Sequence, residues 1–148
     1  MADLKQRISD DVKAAMRKKE RERLATLRLI QAAIKQKEVD ERIELDDTQT
    51  LAVLDKMSKQ HQDSIAQYDK AGRRDLVEKE QAELAIVKEY LPEQLSEDEI
   101  REHIQKAIEE TGAESMRDMG KVMGLLKPRL QGRADMGKIS GLVKERLS

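Results

Sequence analysis

The stretch that decides the fold is Glu89–Ile100, "EYLPEQLSEDEI". Pro92 disfavours the helical conformation of the residue before it, so a helix arriving from the left has to stop. Four residues on, Ser96 followed by Glu99 makes a capping box. The serine side chain accepts from a free backbone N–H, and the glutamate reaches back to the start of the next helix. The two signals divide the chain near residue 94. They predict a helical first domain over 1–94 and a small helical second domain over 95–148.

To the left, apolar residues recur at helical spacing. Leu4, Ile8, Val12 and Ala15 or Met16 form one stripe. After "RKKERER" (Arg17–Arg23), a solvated helical turn or a short break, Leu24, Leu27, Ile30 and Ile34 form a second. That helix should fade near "KEVDERIELDDT", where Asp46 and Asp47 are good caps for a third. The third runs from about Thr48 to Asp69 and stops at Gly72. A fourth reads from Leu76 to Leu91. The first domain is therefore about four helices, as two hairpins.

To the right, Ile100, Ile104 and Ala107 or Ile108 give a fifth helix ending at Gly112. Two further helices carry a repeated phrase, DMGKVMGLL from Asp118 and DMGKISGLV from Asp135. Pro128 interrupts or kinks the chain between them, Arg129, Gly132 and Arg133 read as a basic turn, and Asp135 caps the last helix. No strand pattern occurs, so the fold class is all-α: four helices plus a three-helix tail. The tail is near the lower limit for folding alone, which leads one to expect it to lean on the first domain.

Composition narrows the function. Of 148 residues, 40% are charged, Phe, Trp and Cys are absent, and there are two Tyr. The absence of cysteine excludes disulfides, thiolate metal sites and cysteine nucleophiles. No apolar stretch approaches the roughly 18 residues of a membrane span, and the charged start "MADLKQRISDD" has no apolar signal core. The expectation is a cytoplasmic protein without a membrane partner. The net charge of −1 hides segregation. Residues 1–37 carry a net +6, residues 38–114 a net −12 and residues 115–148 a net +5. A basic end meets an acidic partner such as RNA, or neutralises the acidic middle of its own chain or of another copy.

Catalytic templates are missing. There is no GxxxxGK[ST], no GxGxxG after a strand and no HExxH. His61 and His103 stand far apart and read as surface or capping residues; the paired carboxylates read as solvated faces, and no serine has a base pattern beside it. No catalytic residue, metal ligand or cofactor is expected.

The repeat is the strongest feature. Five of the seven glycines lie in it, at Gly120, Gly124, Gly132, Gly137 and Gly141. Gly120 and Gly124 share one helix face, and Gly137 and Gly141 share another, although glycine weakens a helix by up to about 1 kcal/mol. Two compensations are open. The bare faces let helices pack closely, or they admit a bulky ligand such as an RNA backbone beside Lys121 and Lys138. Lys127, Arg129, Arg133, Lys138 and Lys144 form a candidate positive patch. The methionines at 116, 119, 123 and 136 read as core filling. With no Phe or Trp for stacking, any RNA contact is to backbone and shape.

Together, "TLRLIQAAIKQKEVD", "EYLPEQLSEDEI" and "DMGKVMGLLKPRLQGRADMGKISGLVKERL" resemble the YqeY-like family over essentially the whole chain. The C-terminal third also resembles the tail domain of the B subunit of glutamine-dependent aspartyl/glutamyl-tRNA amidotransferase. The resemblance implies a helical N-terminal domain joined to a three-helix tail that contacts tRNA. Carbon–nitrogen ligase activity with glutamine as amide donor attaches to such proteins by association. This sequence, however, lacks the synthetase-like domain and the Ser-Lys centre that perform that chemistry. The function expected is a non-catalytic tRNA-binding accessory; the alternatives are a protein–protein adaptor and such a ligase.

Overall fold

The computed structural model describes residues 3–148. They form seven α-helices and one short 3-10 turn: α1 (Asp3–Arg17), α2 (Arg21–Glu41), α3 (Asp47–Lys70), α4 (Arg74–Lys88), α5 (Glu97–Thr111), the turn Met116–Asp118, α6 (Met119–Leu130) and α7 (Met136–Leu147). The class is all-α, and no strand occurs among the described residues. The chain divides into two compact units between Leu91 and Pro92.

In the first unit the stripes read from the sequence meet. Ile8, Val12 and Ala15 of α1 and Leu27, Ile30 and Ile34 of α2 pack with Val53 and Leu54 of α3, Val87 of α4, and Leu45 and Tyr90 from the connecting segments. "RKKERER" contains a genuine break. Lys19 takes the left-handed conformation at φ 58°, and α2 starts at Arg21. Asp46 caps α3 through a capping box with Gln49. Gly72 is left-handed at φ 69° just past the end of α3, where glycine is the cheapest residue.

Helix α4 stops at Lys88, three residues before the expected Leu91. The apolar stripe continues, but the backbone turns so that Tyr90 enters the core. The Tyr90 hydroxyl donates to Asp11 Oδ2 at 2.5 Å, and the Arg7 guanidinium lies 4.8 Å from the centre of its ring. Arg7 also donates to the Glu89 carbonyl, and Arg23 pairs with the Glu89 carboxylate at 2.7 Å. Burial, and then the bond to Asp11, push the Tyr90 phenol well above its ordinary pKa. The end of α4 is thus held to α1 and α2 by directional contacts.

The second unit has its own core. Ile100, Ile104 and Ala107 of α5 meet Val122, Leu126 and Leu130 of α6 and Ile139, Val143 and Leu147 of α7. The Ser96–Glu99 capping box is present, Gly112 closes α5 at φ 67°, and Asp135 caps α7 by accepting from the Gly137 N–H. Of the two readings of Pro128, an interruption or a kink, the interruption does not occur: Pro128 lies inside α6, which continues to Leu130. Proline in the last turn removes one intrahelical bond, whose acceptor would have been the Gly124 carbonyl. The residue at that i−4 position, where the ring crowds the backbone, is the side-chain-free Gly124.

Removing the Tyr90 hydroxyl deletes a bond to a carboxylate from the rim of the core. Tyr90→Phe should lower the unfolding free energy by about 1–3 kcal/mol, read from urea denaturation. Tyr68→Phe, whose ring is only half-buried, is the control and should be near neutral.

Candidate nucleic-acid interface

The turn between α6 and α7 sets the geometry of the site. Gln131, Gly132 and Ala134 are buried, and Gly132 is left-handed at φ 81°. Buried backbone polar groups need partners, and three bonds hold the turn. Arg133 N–H donates to the Leu130 carbonyl, Leu95 N–H donates to the Arg133 carbonyl at 2.9 Å, and the Gln94 side chain donates to the Gly132 carbonyl at 2.7 Å. The expected basic turn is therefore mostly a buried, bonded one. Of its two arginines, Arg129 belongs to the last turn of α6, and only Arg133 is in the turn, half-buried, with Nε 3.5 Å from the Glu93 carbonyl. Gln94 and Leu95 are the residues that reading for charge missed; their signal was the boundary stretch itself.

With the turn seated this way, Val122, Leu126 and Leu130 of α6 and Ile139, Val143 and Leu147 of α7 point inward. Gly120, Gly124, Gly137 and Gly141 are consequently all exposed. A Cβ added at Gly120, Gly124 or Gly141 would meet nothing within 4 Å, and one at Gly137 would meet only its own capping Asp135 at 3.3 Å. Close packing against the other helices of the second unit is therefore not what these four glycines serve. Of the five, only Gly132 is needed by the fold, for its backbone conformation.

The outward faces also share a longer pattern than the repeated phrase. "GKVMGLLK" (Gly120–Lys127) and "GKISGLVK" (Gly137–Lys144) both read GKxxGxxK. Positions i, i+4 and i+7 lie along one helical stripe, so Gly120, Gly124 and Lys127 line up on α6, and Gly137, Gly141 and Lys144 on α7. Lys121 and Lys138 flank the bare backbone from the other side. All four lysines are exposed.

Their electrostatic surroundings differ. Lys121 is near Asp118, whose carboxyl is held below the usual range chiefly by the N–H groups of Glu114 and Ser115 and to a smaller degree by Lys121. Lys138 is near Glu97, lowered first by its bond to Arg101 and then by Lys138. Arg129 pairs with Glu110 at 2.9 Å, with both side chains about half exposed, and such a pair is weak. The ammonium groups of Lys127 and Lys144 meet no carboxylate among the described residues. Two of the six candidate cations are thus uncommitted, and the other four are held only by exposed or partial contacts.

A family model described as "Yqey-like protein" matches residues 5–147. A protein of Pyrenophora tritici-repentis named "Altered inheritance of mitochondria protein 41, mitochondrial" is 36% identical over 130 residues, covering 86% of this chain and 71% of its own length. Proteins of the same name from Kluyveromyces lactis and Lachancea thermotolerans are 41% identical over 84 residues and 38% over 85. Those matches cover 56% and 57% of this chain, and only 45% and 46% of the relatives' lengths. The names overturn the expectation of a cytoplasmic protein, because these relatives are called mitochondrial. The features behind that expectation, an absence of cysteine and of long apolar runs, do not distinguish one aqueous compartment from another.

Since a methyl group at Gly124 or Gly141 meets nothing, alanine there should gain helix propensity without strain. Gly124→Ala and Gly141→Ala should each raise the unfolding free energy by about 0.5–1 kcal/mol, read from chemical denaturation monitored by circular dichroism.

Proposed function

The chain belongs to the YqeY-like family, and from that premise we propose that it is a tRNA-binding accessory protein whose second unit grips the nucleic-acid backbone and performs no chemistry on it. The observation that carries this reading is the pair of outward GKxxGxxK faces. Each offers bare backbone for close approach, with lysines on both flanks to neutralise phosphate. Lysine acts on phosphate as a point charge, so binding of this kind reads backbone and shape rather than sequence. The lack of Phe and Trp in the chain agrees with that, since base stacking has no platform.

The test is binding of bulk tRNA to the purified chain across a salt series. Affinity should fall steeply with salt. Lys127→Glu with Lys144→Glu should weaken binding and flatten the logarithmic salt slope by roughly one unit for each phosphate no longer neutralised. Adding Lys121→Glu and Lys138→Glu should weaken it further. An absence of tRNA binding at low salt, or binding indifferent to all four lysines, would sink the reading.

A further inference from the structure

We propose that His61, Glu80 and Glu83 form a binding site for a divalent transition-metal ion of the zinc class, clipping α3 to α4. Reading along the sequence, His61 is a surface or capping histidine and no metal ligand is expected; the hairpin changes that. His61 sits on α3 beyond its well-buried half, while Glu80 and Glu83 are three apart on α4 and so share a face. Antiparallel packing brings the three together. His61 Nδ1 lies 2.5 Å from Glu80 Oε2 and 3.7 Å from Glu83 Oε2, and one ligand atom from each residue lies within 4.8 Å of the other two.

All three members of this group are largely buried: the side chains of His61, Glu80 and Glu83 are 13%, 19% and 16% exposed, whereas the Lys5–Glu38 pair stands at 27% and 16% and the Arg73–Asp75 pair at 57% and 67%. One imidazole facing two largely buried carboxylates leaves negative charge in excess, even with the histidine protonated. A dication bound to a neutral imidazole and both carboxylates removes the excess. Ligand atoms about 2.0–2.1 Å from a tetrahedral ion stand roughly 3.3–3.5 Å from one another. His61 and Glu83 are already near that separation, and Glu80 has to withdraw by about 1 Å, a side-chain rotation. Binding takes the place of the His61–Glu80 hydrogen bond. Three protein ligands leave a fourth position for water. A nitrogen donor beside two oxygens suits zinc, nickel or cobalt; magnesium and calcium favour all-oxygen sets.

The position gives the site a purpose. The aliphatic cluster of the first unit takes Val53 and Leu54 from α3 and Val87 from α4. Between residues 59 and 83, Val77 is the one fully buried apolar side chain among those described. The far part of the hairpin is thinly cored, and small cores are where a metal adds most.

The experiment is titration of the full chain with zinc chloride by calorimetry, alongside cobalt chloride followed by visible absorption. One equivalent should bind, with cobalt giving the intense bands of a four-coordinate site. Zinc should raise the melting temperature in step with its concentration. Glu83→Gln is the decisive variant because it removes a ligand and leaves the His61–Glu80 contact in place. It should keep the helical circular dichroism and melting temperature of the metal-free chain, yet bind zinc about tenfold more weakly or worse. His61→Ala should abolish the cobalt bands. Equal zinc affinity in the parent and Glu83→Gln, no binding at micromolar zinc, or displacement of zinc by equimolar magnesium would each overturn the proposal.

Discussion

Two carbonyl oxygens, those of Gly132 and Arg133, are held by the Gln94 side chain and the Leu95 N–H, and the arrangement of the second unit depends on them. The turn from Gln131 to Ala134 is buried apart from Arg133, and a turn without backbone partners cannot stay buried. Seating it fixes where α6 ends and α7 begins. With those ends fixed, a three-residue aliphatic stripe on each helix covers α5. The opposite faces, carrying the glycines and lysines, then have to point outward. Segment 92–96 therefore ends one unit, starts α5 and supports a turn nearly forty residues downstream.

The first unit solves a different problem. Without Phe or Trp, its core is aliphatic apart from Tyr90, and aliphatic packing alone tolerates alternative arrangements. Directional contacts around its edge specify one. Tyr90 binds Asp11, Arg7 covers Tyr90, and Arg23 reaches Glu89. Glu38 receives both Lys5 and the Leu45 N–H, and these bonds, Lys5 first, hold its carboxyl below the usual range. Two of these, Lys5 with Glu38 and Arg23 with Glu89, join the basic N-terminal stretch to the acidic segment that follows it. At that end of the chain part of the charge is neutralised internally. The basic tail is different, since Lys127 and Lys144 have no such partner among the described residues.

How much of this was legible in the sequence follows from the range of each signal. Caps are local, so Asp46, Ser96, Gly112 and Asp135 could be read from a few neighbours, and the structure has them in those roles. Apolar period is local too, and the stripes through Ile8, Ile30, Ile104, Val122 and Ile139 are the cores. What failed depended on distant partners. Helix α4 ends early because Tyr90 has Asp11 to reach, 79 residues away. The basic turn is buried because Gln94 reaches it. His61 read as unremarkable because its carboxylates lie on another helix. The packing reading of the glycine faces failed for another reason. Gly124 lies across α6 from Val122 and Leu126, so the helical period alone already placed it on the side away from the core.

The outward glycines bear on what the second unit is for. A unit this small, with a purely aliphatic core, has roughly 3–5 kcal/mol of stability to work with. Mid-helix glycines at Gly124 and Gly141 take up a sizeable part of it, at up to about 1 kcal/mol each. They return nothing inside the chain, because no neighbouring atom approaches where their side chains would be. The two copies carry glycine at the same two places, with lysine at the same two places beside them. On the proposed reading, these bare positions are where a nucleic-acid backbone would come close, with the flanking lysines supplying the opposite charge.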